Sequence, residues 1–156
     1  MPIDKSEFRR VLGHFAAGVT VVTTIGSDRT PYGLTATAFT SVSLEPPLVL
    51  VCVDKKSETY PHFASGVFGV NFLADGQQDF SKRFATSGGD KFSGVEFRRG
   101  TTGVPLLPAT IGHLECRVVH AYEGGDHTIY VGEVVASEVN EGEPLLYFKG
   151  AYATVK

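Results

Sequence analysis

Residues 111–139 read IGHLECRVVHAYEGGDHTIYVGEVVASEV, two strand-forming runs on either side of Glu123-Gly124-Gly125-Asp126. In the first run Leu114, Cys116 and Val118 alternate with His113, Glu115 and Arg117, the two-residue period of a strand with one dry and one wet face. Glycines and an aspartate between two such runs supply turn chemistry, so the segment predicts a long β-hairpin. An antiparallel sheet is therefore the frame into which the other segments must fit.

Outward from the hairpin, Val19 to Ile25 and Tyr32 to Ser43 are rich in β-branched and hydroxylic residues and read as two strands joined by the turn Gly26 to Pro31. Leu48 to Val53 follows Pro46-Pro47 as an almost purely apolar run, which predicts a central strand buried on both faces. Val67 to Leu73 is a further strand, and Leu145 to Phe148 a last one leading into a tail that holds Tyr152. Helices are few. In Asp4 to Phe15, Phe8, Val11, Leu12 and Phe15 share one helical face, Asp4 and Glu7 have capping-box spacing, and Gly18 is the expected stop. Ser57 to Ser65 predicts a short helix, and Asp79 to Thr86 a second that stacks Phe80 and Phe84 on one side. Ser87 to Pro108 has many glycines and no clear period, so it is expected to run over the surface. About six or seven mainly antiparallel strands with short helices favour a β-barrel over an alternating α/β sheet.

The 156 residues are 42% hydrophobic and 20% charged, which suits a single domain spanning 1–156. A net charge of -3 argues against a nucleic-acid surface, and no apolar run is long enough to cross a bilayer, so a cytoplasmic protein is expected. Cys52 and Cys116 sit in separate apolar runs and read as free thiols. His14, His62, His113 and His120 lack metal-ligand company, and no metal site is expected. The chain has no GxGxxG after a strand, no GxxxxGK[ST], no HExxH and no GxSxG, which sets aside Rossmann dehydrogenases, P-loop NTPases, zincins and α/β-hydrolases.

Two segments carry the chemistry. In Gly33 to Ser43, GLTATAFTSVS, small hydroxylic residues stand where a structural strand would carry Val or Ile, so a flat ligand could approach the backbone; an edge strand with a wet face is the alternative. In Val53 to Thr59, VDKKSET, hydroxyls, a lysine and free helix-start amides can hold phosphate, or simply cap a helix. Ring and phosphate sites this close together suggest a nucleotide cofactor.

With Phe15-Ala16-Ala17-Gly18-Val19-Thr20-Val21-Val22-Thr23, then GLTATAFTSVSLEPPLVLVCVDKKSET, Asn71-Phe72-Leu73, Arg83-Phe84-Ala85, Gly125-Asp126-His127 and PLLYFKGAY, the chain resembles the short-chain flavin reductases along its whole length. These are the reductase components of two-component flavin monooxygenases, built on the FMN-binding split barrel. The resemblance implies a homodimeric Greek-key split β-barrel that transfers a hydride from NADH (or NADPH) to FAD or FMN. It also implies a separate oxygenase that receives the reduced flavin.

By the same resemblance, Thr35, Ala36 and Thr37 would border the ring and ribityl chain, Thr37 standing where relatives often carry Asn or Ser. Ser41, Val42 and Ser43 would face the ring with backbone and hydroxyl groups, and Pro47 would pack near it. Cys52, Val53 and Asp54 would run along the flavin while Lys55, Ser57 and Thr59 hold phosphate. Phe84 would touch the cofactor or the folded dinucleotide, with Phe80 left to the core; His127 would approach the nicotinamide and Tyr152 would help close the site. Two alternatives stand beside this reading: a flavin-binding electron carrier, and a pyridoxine-phosphate-oxidase-like enzyme that retains its flavin.

Overall fold

The computed structural model describes residues 2–155. In chain order it holds α1 (Lys5–Leu12), β1 (Ala17–Gly18), β2 (Thr20–Ile25), β3 (Pro31–Ala36), β4 (Phe39–Ser43) and β5 (Leu48–Asp54). A 3₁₀ turn at Tyr60–Ser65, β6 (Val67–Phe72), α2 (Gln78–Ala85), β7 (Arg98–Arg99) and β8 (Pro105–Leu106) follow, and β9 (Gly112–Gly124), β10 (His127–Val139), β11 (Leu146–Phe148) and β12 (Ala151–Ala153) complete the chain.

The predicted hairpin is β9 and β10, paired from His127 opposite Gly124 to Val139 opposite Gly112. Its turn is Gly125-Asp126, and Gly125 takes the positive φ of 70° that a two-residue hairpin loop needs. Seven strands form one antiparallel sheet in the order β3-β2-β6-β9-β10-β5-β4. The sheet curls, so that Leu34 and Ala36 at one edge share a core with Val49, Val51 and Val53 next to the other. Val22, Phe63, Phe68, Val70, Cys116 and Tyr130 complete that core, and the result is the mainly β barrel that the strand pattern predicts, split as the resemblance implies.

β2 is dry on both faces because a second core lies outside the barrel. Val22 faces inward, whereas Val19 and Val21 pack with Leu73, Phe84, Phe92, Leu107 and Leu145 beneath α2. The reading of Ser87 to Pro108 as a surface excursion is corrected: Phe92 and Leu107 are buried in this outer core, Val104 and Leu106 are buried with Val67 in a third cluster, and β7 pairs with β8 as a small ribbon. Buried Asn71 fastens the segment, donating from Nδ2 to Val21 O at 2.9 Å and accepting from Leu107 N at 2.9 Å.

Other expectations change for local reasons. Tyr32 to Ser43 is not one strand but β3 and β4, which break at Thr37-Ala38 and become the two opposite edges of the sheet. β5 is second from an edge rather than central, and only Val49, Val51 and Val53 face the barrel core. The tail holding Tyr152 forms β12, paired with β11. Asp4 does cap α1, accepting from Ser6 N at 3.1 Å, but Glu7 turns away from the cap to pair with Arg10. α1 ends at Leu12, before Gly18, and none of its residues is buried.

Candidate functional site

Beside the outer core, β3, the turn after β5 and the end of α2 enclose a groove of about 330 Å³. Thr35, Asp54, Ser57 and Phe84 line it, together with Lys56 and Lys91. The groove exists because Gly33 lets Phe84 lie flat against β3: a Cβ at Gly33 would come within 3.0 Å of the Phe84 ring. α2 is held there by Ser81, whose carbonyl accepts from Thr35 Oγ1 at 2.6 Å and whose hydroxyl lies 2.7 Å from Tyr152 Oη. Tyr152 therefore supports the wall through Ser81.

The polar groups of the groove divide into engaged and free. Asp54 Oδ1 accepts from Lys56 N at 2.9 Å and Glu58 Oε1 accepts from Gly88 N at 3.0 Å, so each carboxylate is already bonded to a backbone amide. Lys56 forms no ion pair among the described residues, and Lys91 Nζ donates only a long 3.4 Å bond to Phe84 O. With the Ser57 hydroxyl nearby, the two ammonium groups suit a phosphate.

Three expectations meet different surroundings. Lys55 does not line this groove; it pairs with Glu123 across the hairpin, which holds its ammonium above the usual value. Lys56, its neighbour, points in instead, because adjacent residues of the turn project to different sides. Thr59 is buried and donates its hydroxyl to Gly33 O at 3.0 Å, so it braces β3 rather than facing the groove. Phe84 is only 1% exposed and belongs mainly to the outer core, stacked edge-on to Phe92, whereas Phe80 is the half-buried member of the pair.

The remaining expected residues lie along the barrel edge and the hairpin tip. Ala36 is buried in the barrel core and Thr37 follows it into the break, where Ala38 O accepts from Cys52 N at 3.1 Å. Ser41, Val42 and Pro47 are exposed, and Ser43 half-exposed, on and after β4. Val53 is fully buried, while Cys52 points outward, half-buried, with burial pushing its thiol up. At the tip, His127 pairs in register with Asp54, and its Nδ1 lies 2.7 Å from Asp126 Oδ1. That contact holds the Asp126 carboxyl below its usual value. Lys56 and Lys91 are the cationic groove residues that sequence reasoning did not name; a pair of adjacent lysines and a distant one in an irregular segment give no pattern to find them by.

Residues 12–156 match the family described as a flavin reductase like domain. The chain is 40% identical over 156 residues to the reductase subunit HsaB of a flavin-dependent monooxygenase from Rhodococcus jostii, covering 99% of this chain and 80% of that one. It is 42% identical over 156 residues to a flavin reductase (NADH) from Kitasatospora aureofaciens, covering 97% and 82%. The structure of the NADH:FAD oxidoreductase SgcE6 from Streptomyces globisporus, in complex with NAD and FAD fragments, superposes with a TM-score of 0.93 at 41% identity, covering 98% of this chain and 93% of that one.

Proposed function

The chain belongs to the flavin reductase like family, and from that premise we infer that it is an NADH-dependent flavin reductase that reduces FAD or FMN and supplies the product to a separate oxygenase. The observation that carries this reading is the groove beside Thr35, lined by the Ser57 hydroxyl and by Lys56 and Lys91, neither of which forms an ion pair among the described residues.

A bound flavin supplies the hydride acceptor, so the protein needs no nucleophile of its own. Its work is to hold two rings in contact and to present fixed dipoles. Ser57, Lys56 and Lys91 hold the phosphate. Thr35, Ala36 and Thr37 border the ring and ribityl chain, and Ser41, Val42, Ser43 and Pro47 serve the ring from the opposite edge of the barrel. Cys52, Val53 and Asp54 form the strand that joins the two. His127 meets the nicotinamide, with Asp126 fixing its ring.

Purified protein mixed with NADH and excess FMN or FAD is expected to bleach the nicotinamide absorbance, and no bleaching with either flavin would overturn the reading. NADPH in parallel ranks the donors. His127→Ala should raise the KM for NADH or lower turnover while flavin affinity stays nearly the same; unaltered steady-state kinetics would remove His127 from the site.

The same reading makes the protein a homodimer of single-domain chains. α1 exposes Phe8 and Leu12, Phe15 beyond it is 79% exposed, and Leu44 after β4 is 90% exposed. An apolar surface of this kind on a small chain favours association. Light scattering should give twice the 16.7 kDa of one chain. A cytoplasmic location accords with the two free cysteines, and no helix among the described residues is long and apolar enough to cross a membrane.

A further inference from the structure

The β2–β3 hairpin closes on the loop Ser27-Asp28-Arg29, with Gly26 N donating to Thr30 O at 2.9 Å and Arg29 N to Gly26 O at 2.9 Å. In hairpin loops of this length the third residue takes the left-handed conformation, and glycine is its usual occupant. Here it is Arg29, at a φ of 67°. A residue with a Cβ is strained at that angle, so the turn itself gives no reason for an arginine. The strained position carries the guanidinium to the loop of the β7–β8 ribbon, where Arg29 Nη2 would lie 3.8 Å from a Cβ added at Gly103.

Arg99 meets it from the ribbon. Its fork donates from Nη2 to Arg29 O at 2.8 Å and from Nη1 to Gly103 O at 3.1 Å, and the guanidinium stands 5.7 Å from the centre of the Phe97 ring. These contacts hold the group in place without neutralising it, since carbonyls and a ring offer dipoles rather than a charge. Both arginines are exposed, and neither forms an ion pair among the described residues. The carboxylates of this region are turned elsewhere. Asp28 accepts from Thr30 N at 3.1 Å on the Gly26 and His62 side of the turn, buried Glu115 accepts from Thr102, and Glu138 pairs with Arg98. Two like charges are therefore gathered round Gly103 with no ion-pair partner among the described residues.

We propose that Arg29 and Arg99 form a docking surface for a carboxylate-rich face of the oxygenase that receives the reduced flavin; the identity of this partner rests on the reductase reading. A guanidinium fixed beforehand loses little freedom on binding, and its remaining N–H groups match the two oxygens of a carboxylate. The pair is an island on a chain of net charge -3, too small for the extended positive field that a nucleic acid needs. Its place suits delivery. Arg29 stands beyond the start of β3 and Thr35 near its end, roughly 20 Å apart at a rise of about 3.3 Å per residue, so a partner seated on the arginines leaves the groove open.

The probe is a dye-labelled hexaglutamate peptide, titrated with the full chain and followed by fluorescence anisotropy. Binding at low salt should weaken as salt rises, and Arg29→Gly should weaken it by about tenfold or more. Because glycine suits the left-handed angle, the same variant should keep or raise the urea midpoint; a lower midpoint would show that the arginine serves the fold and would overturn the proposal. Arg99→Gln should lose binding to a similar degree, whereas Lys5→Gln/Arg9→Gln, which removes two exposed cations of α1, should stay within about twofold. No binding by the unaltered chain refutes the docking surface. So does an equal loss in the α1 variant, because net charge alone would then explain the contact. Displacement of the peptide by oligothymidylate at lower concentration would give the arginines to a nucleic acid, and a fall in mass by light scattering in Arg29→Gly would give them to contact between copies; either result also refutes it. Reductase activity separates the two readings. A chain that reduces flavin but ignores the peptide strikes the docking surface alone, and one that binds the peptide but reduces neither FMN nor FAD overturns the reductase reading and with it the oxygenase as partner.

Discussion

α1 and α2 are both eight residues long, and each places large apolar residues four apart, Phe8 and Leu12 in one and Phe80 and Phe84 in the other. Their fates differ. α2 buries Ser81 and Phe84 against β3 and the outer core, whereas α1 buries nothing. An amphipathic pattern states that a face must be covered; it does not state by what. For α2 the cover is the chain's own Phe92 segment, and for α1 the proposed cover is a second copy.

Leu12→Glu gives the sharpest break of this contrast. Across a two-fold interface the substitution counts twice, so association should lose about 3 to 6 kcal/mol, seen as a monomer by light scattering with an unaltered circular dichroism spectrum. If the mass stays that of a dimer, α1 is not at the interface. The corresponding cut in α2, Phe84→Ala, should instead destabilise the fold itself by about 3 to 5 kcal/mol in urea unfolding, because it opens a cavity against Gly33 and Phe92. A loss no larger than that of a surface mutation would show that the outer core is not cooperative with the barrel.

A smaller effect probes the β7–β8 ribbon, whose β8 packs on β2 and β6. Buried Glu115 accepts from Thr102 N at 2.8 Å and from Thr102 Oγ1 at 2.6 Å, pinning the loop of the β7–β8 ribbon. Burial pushes its carboxyl up, but the hydrogen bonds from Thr102 and Thr101 outweigh this and hold it below the usual value. Because the folded pKa is the lower one, this stabilisation is present above the ordinary carboxylate range and lost as pH falls through the folded value. Glu115→Gln should cost about 1 to 2 kcal/mol at neutral pH, and urea midpoints of variant and parent should converge in acid. Parallel midpoints at every pH would mean that the charge contributes nothing.

The β9–β10 hairpin was legible because its alternation and its glycine turn agree. The break within Tyr32 to Ser43 was not, since Thr37 and Ala38 carry no Gly or Pro signal and the propensity is uniform on both sides. Tertiary pairing alone sends β3 and β4 to opposite edges. In the groove, Thr35 and Ser57 could be named from small-residue and hydroxyl patterns. Which of Lys55 and Lys56 faces in, and which of Phe80 and Phe84 lies deeper, depends on what packs against each turn, and neither pair differs in residue type. β12 escaped notice because three residues have no readable period.

That break has a mechanical side. Ala36 and Phe39 end the two strands on either lip of the barrel's slit, and only Thr37 and Ala38 bridge them, with Ala38 pinned to Cys52. Three Cα steps reach roughly 11 Å at full stretch, so at this point the covalent backbone acts as a tether that limits how far the lips can spread. Whatever rests across the slit there is gauged by a fixed span of polypeptide rather than by adjustable side chains.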